Sequence, residues 1–320
     1  MGPVDRKIII QEINQVLAEQ GFETSNVYER SCFDMAARKE LLLLLLKVLV
    51  NIDSINVSSA EEIRKISHTL MASPLIVGLK TKNEPLEEDV VYERHGIPVI
   101  GVETLRNMIL YNDHPEILAD RGGYYVQING NLLREVREEY NLSLKDLANL
   151  AHVSRATIYK YENELVRASP ETAILLEDIL NIKITLDIDV FKVPELNTSQ
   201  ANPRQVLSNR DTDNLSKLGY GVISTSRTPF DALAKLETVK KVNDSPIIAN
   251  LERDRTSKTI EKMAITLKDL SLVTDSEAVF IVDNGDFKES IDGIPVIRNW
   301  ELRTIDDPND FIKILKERKD

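Results

Sequence analysis

The segment SRATIYKYE, residues 154–162, carries side chains whose types and spacing suit hydrogen bonding to DNA. If the segment is a helix, Ile158 and Tyr161 fall on one face and are predicted to point toward a core. The side chains left on the outer face near the N-terminus are Arg155, Ala156, Thr157, Tyr159 and Lys160. A recognition helix presents side chains to the base edges of the major groove from this position. The predicted chemistry is therefore recognition of double-stranded DNA.

A second helix and a tight turn must position these residues. Ser143 precedes the apolar-periodic stretch LKDLANL, and Asp146 follows three residues later, which is the capping-box arrangement at a helix start. His152 and Val153 form the predicted turn, and Ser154 caps the second helix. Further helical stretches, LLREVREEY and PETAILLEDIL, lie before and after the pair. The residues predicted to contact DNA are Ser143, Lys145, Ser154, Arg155, Ala156, Thr157, Tyr159 and Lys160.

Residues 131–180 resemble the helix-turn-helix domain of the phage-repressor, or Cro-like, family. The matching residues are Leu133, Arg137, Leu142, Ser143, Leu147, Ala148, Val153, Ser154, Ile158, Tyr161 and Glu162. The whole chain is similar to an archaeal family of helix-turn-helix transcriptional regulators. This resemblance implies a sequence-specific DNA-binding regulator, and it implies little about the target genes.

Two positions depart from the Cro-like pattern. Leu144 stands where the family often has a glutamine that braces a phosphate, and His152 replaces a glycine that is common in the turn. We expect the turn to be reshaped if that position needs a positive φ. The alternative interpretation is a four-helix packing unit without DNA contact. The caps, the turn length and the outer-face side chains together favour DNA binding.

The local charge predicts how this unit binds. Residues 131–180 contain six basic and nine acidic residues, a net charge of −3. We therefore expect moderate, strongly salt-dependent affinity. One such unit offers few phosphate contacts, and helix-turn-helix proteins usually gain further contacts by binding two-fold operators as dimers. We therefore expect a homodimer.

Helical and strand patterns alternate on both sides of the helical unit, which predicts α/β domains with partly parallel sheets. Five fragments occur in the same order in residues 3–120 and 190–320, ending in GIPVI at both places. The predicted fold is two similar α/β domains that flank a Cro-like domain of four to five helices. The predicted domains are residues 1–122, 128–182 and 190–320. The paired glycines of RGGYYV predict a hinge or hairpin before the helical domain.

Asp34, followed by a buried strand that contains Lys47, resembles the restriction-endonuclease-like fold. That resemblance implies an acidic residue and a Glu-x-Lys motif that together hold a divalent metal and activate water. Leu45 stands where the second carboxylate belongs. The C-terminal repeat keeps Asp231 and offers Glu252, but no lysine stands two residues after it. We therefore expect an inactive scaffold with no catalytic residues, no metal and no cofactor.

Composition limits the remaining possibilities. The net charge of −12 argues against wrapping nucleic acid with the whole surface. The one cysteine, Cys32, excludes an intrachain disulfide and suits a reducing compartment, so we expect a cytoplasmic protein. The apolar run 41–50 is too short for a membrane span. We expect a transcription regulator whose α/β domains dimerise, sense a small molecule or contact a protein effector. The alternatives are a nuclease targeted by its helix-turn-helix, and an antitoxin-like or scaffold protein whose DNA contact is autoregulatory.

Overall fold

The computed structural model describes residues 6–195, 210–236, 245–252, 255–283 and 287–319. These residues form two compact units. The first unit contains residues 6–9, 49–54 and 76–190, and the second contains residues 10–48, 55–75 and the described part of 191–319. No helix of the described ranges is both long enough and apolar enough to cross a membrane.

The N-terminal α/β segment contributes to both units. Its elements are α1 (Arg6–Glu19), β1 (Glu23–Thr24), β2 (Met35–Lys39), β3 (Leu42–Asn51), α2 (Val57–Leu70), β4 (Ser73–Lys80), β5 (Val90–Arg94), β6 (Ile97–Gly101) and α3 (Val102–Tyr111). Strands β1, β2 and β3 pair antiparallel, β4 pairs parallel with β6, and β5 pairs antiparallel with β6. The predicted apolar strand is β3, and its residues 43–46 are buried on both faces of the sheet.

The helical domain lies within the first unit. Its elements are β7 (Ile117–Asp120), β8 (Gly123–Ile128), α4 (Gly130–Glu139), α5 (Leu144–Leu150), α6 (Arg155–Glu162), α7 (Pro170–Leu180) and β9 (Thr185–Leu186). The RGGYYV segment forms a hairpin of β7 and β8, as one of its two predicted interpretations required. The helices share one core, to which the flanking strands and the chain after α7 add Val126, Ile128 and Ile184.

The C-terminal segment lies in the second unit. Its elements are α8 (Arg210–Lys217), β10 (Tyr220–Ser224), β11 (Ala232–Leu236), β12 (Ile247–Leu251), α9 (Ser257–Thr274), β13 (Glu277–Val282), β14 (Ser290–Ile291), β15 (Ile294–Arg298), α10 (Asn299–Leu302) and α11 (Pro308–Glu317). Strands β10, β11 and β12 pair antiparallel, β13 pairs parallel with β15, and β14 pairs antiparallel with β15. The element order of the first α/β segment is thus repeated, which confirms the predicted pair of similar α/β domains.

Strand register decides which residues correspond in the two repeats. The Asp34 amide donates to the Leu46 carbonyl, and the Asp231 amide donates in the same way to the Ala249 carbonyl. The residue after each acceptor is Lys47 in one repeat and Asn250 in the other. Asn250 is therefore the counterpart of Lys47.

The sequence comparison placed Glu252 on the strand beside Asp231, and this placement was wrong. Strand β12 ends at Leu251, and the Glu252 carboxylate accepts a hydrogen bond from the Asp283 amide (2.9 Å). The apolar letters of IIANLERD matched the pattern, but only the register of the hairpin shows which side chain faces Asp231.

Parts of the two repeats contact each other within the second unit in a reciprocal way. The Arg38 guanidinium on β2 donates to the carbonyls of Val273 and Thr274 at the end of α9 (2.7 and 2.8 Å). On β11, Lys235 donates to the carbonyl of Thr69 at the end of α2 (3.1 Å). Cations near a helix C-terminus are favoured by the exposed carbonyls and the helix dipole.

Two carboxylates add to this intramolecular contact. Asp269 on α9 accepts hydrogen bonds from the Asn26 amide (2.8 Å) and the Tyr28 hydroxyl (2.7 Å). Glu62 on α2 accepts from the amides of Ser226 and Arg227 (2.8 and 3.3 Å). These faces of α2 and α9 are therefore occupied within one chain.

Candidate DNA interface

The start of α5 is fixed by a reciprocal cap, as the sequence predicts. The Ser143 hydroxyl accepts from the Asp146 amide (3.2 Å), and the Asp146 carboxylate accepts from the Ser143 amide (3.0 Å). Hydrogen bonding to the Ser143 side chain, and then to its amide, lowers the pKa of the Asp146 carboxyl. The capping box therefore holds Asp146 ionised at the positive end of the helix dipole.

The turn between α5 and α6 keeps a left-handed residue despite the missing glycine. His152 adopts φ 54°, and the next amide, that of Val153, donates to the Ala148 carbonyl (2.9 Å). A left-handed conformation costs a residue with a Cβ roughly 1–2 kcal/mol, and histidine is among the side chains enriched there. The turn is therefore not reshaped by the substitution; the histidine accepts the strain.

Helix α6 presents the predicted face. Its N-cap is Ser154, whose hydroxyl accepts from the Thr157 amide (3.0 Å). Ile158 and Tyr161 are buried in the core of the helical domain, as predicted. The exposed residues of the predicted set are Ser143, Lys145, Ser154, Arg155, Ala156, Tyr159 and Lys160, and Thr157 is half-buried.

The cations of α6 are available for an external anion. In the described part of the chain, the Arg155 guanidinium and the Lys160 ammonium make no ion pair or side-chain hydrogen bond. Thr157 differs, because its hydroxyl lies 2.8 Å from the Ser154 hydroxyl and is shared with the cap. Tyr159 is 54% exposed, which leaves its ring and hydroxyl accessible. The side chains therefore brought together at the surface are two unpaired cations and one tyrosine.

A buried ion pair joins α6 to α4. Glu162, 5% exposed, accepts from the Arg137 guanidinium through both carboxylate oxygens (2.5 and 3.3 Å). Arg137 also donates to the Leu142 carbonyl (2.8 Å), which holds the loop that leads to α5. The bond to Glu162 raises the pKa of the Arg137 guanidinium. Both residues matched the Cro-like pattern, but the sequence alone did not reveal that they form an ion pair.

Two further cations lie beside the segment that follows α6, and neither was among the residues predicted from the sequence. Arg121, at the tip of the β7–β8 hairpin, and Arg167, after α6, line one open cavity of about 560 Å³ together with Leu165. Arg167 lies 3.5 Å from the Asp120 carboxylate, and Arg121 is exposed. The sequence did contain a signal for Arg121, because this residue begins the motif RGGYYV. That motif was interpreted only as a hinge or hairpin between domains.

The predicted nuclease remnant has a different chemistry from a metal site. Asp34 is 1% exposed and accepts from the Lys47 ammonium (3.0 Å) and the Val48 amide (2.7 Å). Lys47 also donates to the Ser31 carbonyl (2.7 Å). Lys47 therefore forms an ion pair with Asp34. Leu45 is fully buried and offers no ligand.

These residues do not fit the divalent metal that a restriction-endonuclease-like fold implies. A catalytic metal needs carboxylates that converge on it, and here a single carboxylate is bonded to an ammonium group. The described ranges contain no group of three or more His, Cys, Asp or Glu side chains that could hold a metal ion. Burial raises the pKa of the nearby Cys32 thiol to about 12, so the thiol stays protonated at neutral pH.

Comparisons with known proteins agree with this division of the chain. A family model described as a PD-(D/E)XK superfamily domain matches residues 6–115, and a helix-turn-helix model matches residues 133–186. The fold and the site thus define a helix-turn-helix protein with an N-terminal endonuclease-like α/β domain and a second α/β domain at the C-terminus.

Relatives that match along the full length of the chain identify its family. A protein of Methanothermobacter thermautotrophicus is 57% identical over 99% of this chain and 98% of its own length. One of Methanobrevibacter smithii is 52% identical over 99% of both chains, and one of Pyrococcus furiosus is 34% identical over 98% of both. All three are provisionally named HTH-type transcriptional regulatory proteins. The chain belongs to this archaeal family of helix-turn-helix regulators.

Proposed function

We propose that the protein is a transcription regulator that binds specific sequences of double-stranded DNA with α6 in the major groove. The observation that carries the proposal is a pair of exposed cations, Arg155 and Lys160, that form no ion pair with any described residue, on a helix whose N-terminus is capped by Ser154. Thr157 and Tyr159 tune base preference. Arg121 and Arg167, which line the cavity beside the segment after α6, add phosphate contacts.

Selection from a random DNA pool, followed by mapping of bound sites across the genome, tests this function. The expected result is one enriched motif that also marks the bound genomic sites. If the full-length protein binds all sequences of the pool equally at moderate salt, it has no sequence specificity and the proposal is wrong. Transcription measured with and without the protein then shows whether it activates or represses.

We further propose that two chains bind one operator. A net charge of −3 over residues 131–180 makes a single helical domain a weak DNA ligand. The operator should consist of two half-sites about 34–36 Å apart, or a multiple of this distance. The faces of α2 and α9 that carry Glu62 and Asp269 already form contacts within one chain. The dimer interface must therefore use other surfaces. Light scattering on the protein with and without its operator is the measurement, and monomers in both samples would rule this out.

The purified protein is expected not to cleave DNA or RNA with Mg²⁺ or Mn²⁺. Hydrolysis by one or two metals needs converging carboxylates, which Leu45 and the Asp34–Lys47 pair do not supply. The assay is incubation of plasmid, linear DNA and RNA with excess metal. The control for contaminating nuclease is an Asp34→Asn variant beside an Arg155→Ala variant, both tested on nonspecific DNA. Cleavage that is lost in Asp34→Asn and kept in Arg155→Ala would show a working nuclease.

A further inference from the structure

A cavity of about 360 Å³ lies in the second unit, where the aspartate of the C-terminal repeat would serve a nuclease. Pockets that bind small ligands range from about 300 to 1,000 Å³. Its walls come from residues 27–29 of the first repeat, from residues 228–231, from Asn250 and Arg255, and from the N-terminal part of α9. The cavity is therefore large enough for a small molecule and is built by both repeats.

Asn250 is the feature of this cavity that packing does not explain. The residue lines the cavity and is fully buried, yet neither atom of its carboxamide has a hydrogen-bond partner among the described residues. Its counterpart Lys47 is satisfied by the Ser31 carbonyl and by Asp34. Buried polar groups without partners are rare in native proteins because each carries an uncompensated desolvation cost. A ligand with a complementary donor and acceptor would satisfy this amide.

The aspartate of this repeat is not free to hold a metal in the cavity. Asp231 makes a bidentate ion pair with Arg255 (2.6 and 2.8 Å) and accepts from the Leu251 amide (2.9 Å). The guanidinium occupies the side of the carboxylate that a cation would need. The cavity therefore suits a molecule that can hydrogen-bond to the Asn250 carboxamide, and it does not suit a metal ion.

The other lining groups suit the parts of a nucleotide. Phe230 and Met263 supply apolar surface for a planar base, and the Glu29 carboxylate is exposed at the rim, where it can accept from ribose hydroxyls. Lys262 is exposed, and in the described ranges its ammonium makes no ion pair. The N-cap of α9, Thr256, makes no side-chain capping bond to an amide, and the N-terminus of a helix favours an anion.

We propose that this cavity binds an adenine mononucleotide, with the base edge on Asn250 and the phosphate near Lys262. Asparagine carboxamides pair with adenine through its exocyclic amine and N7, one donor and one acceptor on each side. Since Glu29 belongs to the first repeat and Asn250 to the second, the nucleotide stabilises the contact between them. This proposal does not rest on DNA binding.

Calorimetric titration of the full-length protein with AMP tests the site, with GMP, CMP, adenosine and inorganic phosphate as comparisons. AMP is expected to bind at least about tenfold more tightly than CMP or phosphate, and to raise the unfolding temperature. Asn250→Leu should lose about tenfold or more in AMP affinity, while its unliganded unfolding temperature is unchanged or higher, because an unsatisfied amide is removed. A protein that binds none of these compounds, or binds phosphate as well as AMP, overturns the proposal.

Two matched lysine variants distinguish a direct contact with the phosphate of AMP from the general effect of removing a positive charge. Lys262→Ala is expected to weaken AMP several-fold and to leave adenosine binding unchanged. Lys258→Ala, on the same helix but outside the cavity, should match the parent with both ligands. Equal AMP binding by Asn250→Leu and the parent contradicts the base contact whatever the lysines do. Operator binding by the same variants is measured in parallel, so failure of the nucleotide site and failure of DNA binding remain distinguishable.

Discussion

The double variant Arg155→Ala/Lys160→Ala is expected to weaken operator binding by roughly 2–6 kcal/mol, since each lost base or phosphate contact costs about 1–3 kcal/mol. Both side chains are exposed and unpaired among the described residues, so their removal disturbs no internal contact. The measurement is fluorescence anisotropy with the selected operator over a series of salt concentrations. The slope of log K against log salt should become shallower by about 1 for each lost phosphate contact.

A charge-matched control makes this result specific. Lys258→Ala/Lys316→Ala removes two exposed lysines from the C-terminal α/β domain and changes the net charge by the same amount. Its operator affinity should stay within about twofold of the parent, because neither lysine belongs to the helical domain that is proposed to contact DNA. If both double variants lose affinity equally, the effect is long-range electrostatics. If neither does, α6 is not the recognition helix.

The helical domain could be predicted from sequence because its signals are local. Ser143 and Asp146 cap α5, and Ser154 caps α6, through contacts three residues apart. Burial of Ile158 and Tyr161 follows from helical periodicity alone. Such features depend on neighbours within one turn, and the sequence displays those neighbours directly.

Features that depend on distant partners could not be predicted in the same way. The equivalence of Asn250 with Lys47 follows from the register of two hairpins, whereas the sequence pattern only offered Glu252 as a carboxylate of this repeat. The bond between Arg137 and Glu162 spans 25 residues and needs both helices in place. The reciprocal contacts of Arg38 and Lys235 with helix ends link segments more than 160 residues apart. A polar residue whose partner is far away in the sequence is not part of a periodic pattern, so its contact cannot be predicted from the sequence alone.

Removal of the Glu162 carboxylate is expected to cause the largest loss of stability. Glu162→Leu leaves Arg137, a residue that is 8% exposed, with only the exposed Glu138 carboxylate as an anionic partner (3.3 Å), and removing one partner of a buried ion pair costs about 3–5 kcal/mol. Urea unfolding of the full-length protein gives the change. Hydrogen exchange at the buried Leu133, Ile158 and Leu176 amides assigns the loss to the helical domain. Asp187→Ala, which breaks an exposed pair with Lys183 (3.4 Å), should cost less than about 1 kcal/mol.

The matching double variant separates stability from orientation. Arg137→Met/Glu162→Leu removes both charges and should recover most of the lost stability, since well-packed apolar pairs often replace buried ion pairs at little cost. The Leu142 carbonyl still loses its donor, so recovery is expected to fall short by about 1 kcal/mol. If the ion pair also sets the direction in which α6 leaves the core, this stable variant should bind the operator more weakly than the parent. Full stability with full affinity would mean that core packing alone orients α6. A single Glu162→Leu variant as stable as the parent would refute the buried charge argument itself.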